Sequence, residues 1–209
     1  MPFIVVDLEM TGTEPGWHEI IQLGAVLYDD DWNEKGRYLS NVYPENEESF
    51  SQSAVEVHGL TLADLEDAPM IYDVLPEFEN WAMELLGYRQ QIKTALDRSP
   101  YLKNTIVCGQ SVINDINFLK VAYREEKLKY PFSNVLLDLH TISYFVFNIL
   151  KQNGRKIPRG LSLTAIAEFF GLERENDTHN ALEDAVLTGA CLKEMMKLGK
   201  QFKLGEKKD

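Results

Sequence analysis

FIVVDLEM, residues 3–10, opens on four apolar residues and then sets two carboxylates, Asp7 and Glu9, two positions apart. A short apolar run rich in β-branched side chains predicts a buried strand. On a strand, side chains at i and i+2 share a face, so both acids are sent into one small volume. Like charges that close repel, and each holds its proton more tightly unless a cation lies between them. Two readings of these residues stay open: a cation site at the end of a buried strand, or an Asp7 that ends the strand in water with Glu9 as loop surface.

Working outward, IIQLGAVLYDD (20–30) and RYLSNVYP (37–44) read as two further strands, the second stopped by Pro44. Their short connections predict an antiparallel meander, with the acidic run at 29–31 as a solvated hairpin turn. A helical region opens near Thr61, a suitable N-cap, and apolar residues recur at helical spacing to Gly87. TIVCG (105–109) is a short buried strand followed by a helix through INDINFLKVAYREEK. VLLDLHTISYFVFNIL begins as a strand near 135–139 and turns into helix, LTAIAEFFGL is a helix stopped by Gly171, and a last helix runs from about Asn180 to about Leu198. Three strands followed by alternating helix and strand predict an α/β sheet with helices on both faces.

The 209 residues, 44% hydrophobic and 26% charged, suit one well-cored domain, taken as residues 1–198 with a lysine-rich tail at 199–209. The sequence lacks the pattern of a signal peptide and any apolar run long enough for a membrane span, so a cytoplasmic protein with no membrane partner is expected. Two cysteines, Cys108 and Cys191, lack metal-ligand spacing and read as core thiols. A net charge of -12 argues against tight nonspecific binding to long duplexes, although bound cations can reverse the field locally.

A divalent-cation site needs more than two carboxylates. Asp115 borders the apolar stripe Val112, Ile116, Leu119 and Tyr123, so a helix packed on the sheet could aim it at Asp7; it could equally be a first-turn acid favoured by the helix dipole. In THNALEDA (178–185), Asn180 and Glu183 have capping-box spacing. With Asn180 as N-cap, His179 and Asp184 occupy the two positions that touch in a hydrophobic staple, a poor choice for packing and a sensible one for chemistry, unless they form a surface ion pair.

DLEMTG (7–12), GQSVINDINFL (109–119) and HNALEDA (179–185) resemble, in order and rough spacing, the three motifs of the DEDDh 3'→5' exonucleases, a family that includes proofreading subunits of bacterial replicative polymerases, RNase T and oligoribonuclease. The resemblance implies a ribonuclease H-like mixed sheet, with three antiparallel strands and then parallel ones, flanked by helices. It assigns Asp7, Glu9, Asp115 and Asp184 as metal ligands and His179 as general base. Four hard oxygen donors suit two Mg²⁺ or Mn²⁺ ions, roughly 3.5 to 4 Å apart, and would be a poor zinc cage. The implied activity is hydrolysis of phosphodiester bonds at single-stranded DNA or RNA 3' ends, releasing nucleoside 5'-monophosphates. An oligoribonuclease-like or RNase T-like enzyme on short RNA and a noncatalytic nucleic-acid-binding module are the alternatives.

By the same resemblance, Met10, Thr11 and Trp17 lie beside the 3'-terminal nucleotide, and His58 of HGLT (58–61) contacts substrate. Trp17 could otherwise be a lid over the core edge, and His58 a helix-start residue. Gln110, Ser111 and Asn114 depart from the His, Asn and Phe often found in proofreading members. The basic stretch KQNGRKIPRG (151–160) reads as a phosphate guide or as a solvated loop. A homodimer and a polymerase partner are both compatible with the family.

Overall fold

The computed structural model describes residues 1–88, 100–174 and 180–202. Strands β1 (Phe3–Met10), β2 (Ile20–Tyr28) and β3 (Glu34–Asn41) come first, followed by helices α1 (Gln52–His58), α2 (Leu62–Leu65) and α3 (Ile71–Leu85). Strand β4 (Ile106–Gly109), helix α4 (Ile113–Glu125), strand β5 (Leu136–Asp138) and helices α5 (Leu139–Gln152), α6 (Leu163–Phe170) and α7 (Ala181–Gly199) complete the order. The five strands form one sheet in the order β3-β2-β1-β4-β5. β1 pairs antiparallel with β2, β2 antiparallel with β3, and β1–β4 and β4–β5 run parallel. This is the mixed sheet expected from the sequence, with β1 at its centre.

Alternation along β1 divides the core in two. Ile4, Val6 and Leu8 face a cluster that includes Val74 and Phe78 of α3 and Ile116 and Leu119 of α4. Val5 faces the opposite cluster, built with Val146 and Phe147 of α5, Ile166 of α6 and Ala185 and Leu192 of α7. Burying each such side chain contributes about 1.5–3 kcal/mol, so the two clusters clamp β1 from both sides. Asp7 and Glu9 lie on the Val5 face, where the strand runs out of apolar neighbours and α7 begins.

Several element boundaries differ from the sequence reading. β2 stops at Tyr28 because Asp29 closes the turn, its Oδ1 accepting from the backbone N–H of Asp31 at 3.0 Å and of Asn33 at 2.9 Å. Helix α1 falls where none was expected, and it ends on Gly59 in the left-handed region (φ 73°), a conformation without steric penalty only for glycine. The single helical region read from Thr61 to Gly87 is two helices, separated where Pro69 and Met70 run past Tyr43. Thr61 does start α2, donating through its backbone N–H and its hydroxyl to Asp64 Oδ2 at 2.8 and 2.6 Å. Cys108 and Cys191 are free and buried, as expected. No helix among the described residues is long and apolar enough to cross a membrane.

Candidate active site

In the β1–β2 ladder Asp7 lies opposite Gly24 and Glu9 opposite Gln22. These two partners set the position of α7. A Cβ on Gly24 would stand 2.2 Å from the carbonyl carbon of Ala181 and 2.3 Å from the nitrogen of Leu182, so only glycine lets the first turn of α7 lie directly on β2. Gln22, 5% exposed, accepts through Oε1 from the Ala181 N–H at 2.9 Å and donates through Nε2 to Asn41 Oδ1 at 2.7 Å. It thereby satisfies one of the donors that a helix start leaves open. Asn180 supplies the predicted cap, its Oδ1 accepting from the Glu183 N–H at 2.9 Å. Asp184 is in this first turn, over the sheet face that carries Asp7 and Glu9.

Asp115 arrives from the other side. β4 pairs with β1 only as far as Val5, which leaves the later backbone of β1 without a strand partner on that edge. The Leu8 N–H there donates to Asp115 Oδ1 at 3.1 Å, and Asp115 is 6% exposed. A fifth acid, Asp138 at the end of β5, fixes the starts of two helices. Its Oδ1 accepts from the Val112 N–H at 3.2 Å, and its Oδ2 from the N–H and hydroxyl of Thr141 at 3.0 and 2.6 Å.

The acids feel one another. Burial, and then the charges of Asp115, Glu9 and Asp184, push the Asp7 carboxyl well above the usual carboxylate range, against the pull of Arg174. Burial and Asp184 raise Glu9 to about 7. Burial also raises Asp115 to about 7, opposed by its hydrogen bonds to backbone N–H groups, with Glu9 and Asp138 adding to the rise. Shared like charge at a desolvated strand end is an arrangement that favours cations.

The four carboxylates are gathered electrostatically but not closed into a coordination shell: among the described residues, no three Asp, Glu, His or Cys side chains are arranged to hold an ion. Asp184 is instead engaged by Arg174, whose Nε and Nη2 both reach Oδ1 at 2.7 Å. His179 lies outside the described residues.

The expected substrate contacts have different surroundings. Met10 is half-buried, and Trp17, in the connection between β1 and β2, is 53% exposed. Thr11 is fully buried, its hydroxyl 2.9 Å from that of Ser49 and accepting from the Glu19 N–H at 3.0 Å, so its side chain builds the loop. His58 is 8% exposed, accepts through Nδ1 from the Leu60 N–H at 3.0 Å and meets the Phe50 ring edge-on. It closes α1 rather than starting a helix. Within the basic stretch, Arg155 lines a recess with Phe169, Glu194 and Lys197, near the end of α7. At 1.5 Å per residue, Lys197 is about 20 Å along that helix from Asp184.

Sequence reasoning did not single out Gln22, Gly24, Asp138 or Arg174. A glutamine and a glycine inside a nine-residue apolar strand were the available signal for the first two. Arg174 offered none, since its partner is ten residues away across a helix start.

Comparison with known proteins points one way. An exonuclease family model, of the RNase T type, matches residues 4–92. The DNA polymerase III epsilon subunit of Aquifex aeolicus is 32% identical over 186 residues, covering 89% of this chain and 76% of that protein. The PolC-type DNA polymerase III of Thermotoga petrophila is 27% identical over 200 residues, which is 96% of this chain but 12% of the polymerase. Among solved structures, the nuclease domain of 3'hExo, a DEDDh family member bound to rAMP, superposes with a TM-score of 0.69 at 21% identity, covering 98% of this chain and 96% of that one. E. coli exonuclease I in complex with a dT13 oligonucleotide gives 0.73 at 17% identity over 96% of this chain and 42% of that one.

Proposed function

Since the chain belongs to the DEDDh family of 3'→5' exonucleases, with its ribonuclease H-like fold, we propose that Asp7, Glu9, Asp115 and Asp184 hold two divalent cations and that His179 is the general base. The reaction is hydrolysis of the terminal phosphodiester at single-stranded DNA or RNA 3' ends, with release of nucleoside 5'-monophosphates. The observation that carries this reading is the cluster itself: three acids from β1 and α4 whose protons are held by burial and mutual charge, with Asp184 acting on Asp7 and Glu9.

The donors are hard oxygens without a cysteine among them, which fits Mg²⁺ or Mn²⁺. Bound there, the ions supply Lewis acidity toward the phosphodiester and the departing 3'-oxygen. The chain's own residues do the rest. The clamped end of β1 fixes the direction of Asp7 and Glu9, and the Leu8 N–H orients Asp115. Gln22 and Gly24 seat α7 so that Asp184 faces them. His179 takes the proton of the attacking water, a role matched to an unperturbed pKa of about 6.5. Trp17, exposed in the connection between β1 and β2, stacks on the base of the terminal nucleotide together with Met10. Oligoribonuclease-like action on short RNA is the second reading, favoured by the net charge of -12, which repels long polyanions. A polymerase partner, as for the epsilon subunit, belongs with the first.

The test uses 5'-labelled single strands of DNA and RNA of several lengths, with Mg²⁺, Mn²⁺ or EDTA. The proposal predicts a ladder shortening one nucleotide at a time from the 3' end, lost in EDTA, in Asp7→Asn and in His179→Ala. Failure to trim any strand with metal present, or full activity of His179→Ala at neutral pH, contradicts it.

A further inference from the structure

Arg174 is a cation inside a site that otherwise repels itself. It lies beyond the end of α6, outside any helix or strand, in the chain that leads toward α7. Its Nε donates to Asp184 Oδ1 at 2.7 Å, and Nη2 lies 2.7 Å from the same oxygen. The two side chains are about 20% exposed, so water reaches the pair without dissolving it. The charge of Arg174 also acts on Asp7, across the site. One guanidinium cannot balance four carboxylates, whereas two divalent ions match them in charge. A single ion pair that water still reaches is weak beside the attraction of a divalent ion for the same carboxylate, so the ion can displace it.

We propose that Arg174 is an exchangeable counter-cation of the acid cluster: it holds Asp184 Oδ1 in the protein alone and yields that oxygen when a divalent ion enters, so the ion pair and ion binding at Asp184 exclude each other. This rests on the cation-binding reading above. Arg174 is then a positioning residue, acting through Asp184. It keeps the first turn of α7 from being driven off the sheet by repulsion, and it sets the concentration of metal at which the site fills.

The experiment is calorimetric titration of Mn²⁺ into the full chain, without nucleic acid and at low ionic strength, for wild type, Arg174→Gln, Arg174→Lys and Asp7→Asn. The wild type and both Arg174 variants are also melted in EDTA. Arg174→Gln should bind Mn²⁺ about five- to tenfold more tightly than wild type, because the ion no longer competes with the pair, and should melt lower in EDTA. Arg174→Lys keeps the charge but not the planar fork and should bind about two- to threefold more tightly, so the test stands even if the glutamine variant does not fold. An arginine with a purely structural role would lower the melting temperature and leave Mn²⁺ affinity unchanged or weaker, and that result overturns the exchange. Wild type that binds Mn²⁺ no better than Asp7→Asn overturns the cation site and the exchange with it; normal wild-type binding without tightening in either Arg174 variant overturns the exchange alone.

Discussion

Asp115→Asn isolates the electrostatic cost of gathering the acids. The substitution keeps shape, and the amide oxygen still accepts from the Leu8 N–H that now meets Asp115 Oδ1 at 3.1 Å. What it removes is a charge that burial disfavours. Raising Asp115 from 3.8 to about 7 corresponds to roughly 4 kcal/mol between its protonation states, and relaxation of the site around the charge brings the expected effect to about 2 kcal/mol. In the unfolded chain the carboxyl loses its proton near 3.8, while in the folded protein it keeps it to about 7. The folded state therefore binds more protons between those values, and stability must fall as pH rises through that window, levelling above it. Glu9, also raised to about 7, and Asp7 push in the same direction. In thermal melts in EDTA between pH 4.5 and 8.5, wild type should lose stability with rising pH, and Asp115→Asn should follow a shallower slope. At pH 8 the variant should melt about 4–8 °C higher. Adding Mn²⁺ should reverse the order, because wild type gains a ligand that the variant binds poorly. A variant that melts lower than wild type in EDTA at pH 8, or that keeps the full slope, would refute the claim that burial, with like charge added, disfavours the ionised carboxylate at this strand end.

Gly24→Ala puts a methyl group against the backbone of Ala181 and Leu182, which cannot rotate away; a loss of about 3 kcal/mol in urea unfolding is expected, with exonuclease activity falling further than the folded fraction because Asp184 moves. Gln22→Ala leaves the Ala181 N–H without its acceptor and should cost about 1–2 kcal/mol by the same measurement, lowering kcat more than it raises KM. Trp17→Ala should raise KM for a single-stranded oligonucleotide about tenfold while the melting temperature stays within about 2 °C, since a side chain 53% exposed adds little to the core.

The centre of the fold was legible because β1 is decided by local pattern. Alternation put Ile4, Val6 and Leu8 in one core and Val5 in the other, and the same alternation carried Asp7 and Glu9 to a single face. Asn180 was legible as a cap because capping is a matter of spacing along one chain segment. Helix α1 was not: QSAVEVH has no apolar stripe, Val57 is 77% exposed, and the helix is held by Gly59 and the buried ring of His58. The partners of the Thr11 hydroxyl were not legible either, because Ser49 and the Glu19 N–H reach it from other parts of the chain. Gln22, Gly24 and Arg174 act across contacts that no periodicity encodes. Their roles appear only once α7 lies on β2.

The central claim is that Asp7, Glu9, Asp115 and Asp184 jointly bind paired divalent cations. The most direct measurement is anomalous diffraction from crystals of the full chain grown with Mn²⁺ and a short single-stranded oligonucleotide. The account predicts two manganese peaks, both coordinated by oxygens from these four side chains, with Asp184 Oδ1 released by Arg174. Manganese bound elsewhere, or no manganese while Asp184 remains paired with Arg174, would contradict it.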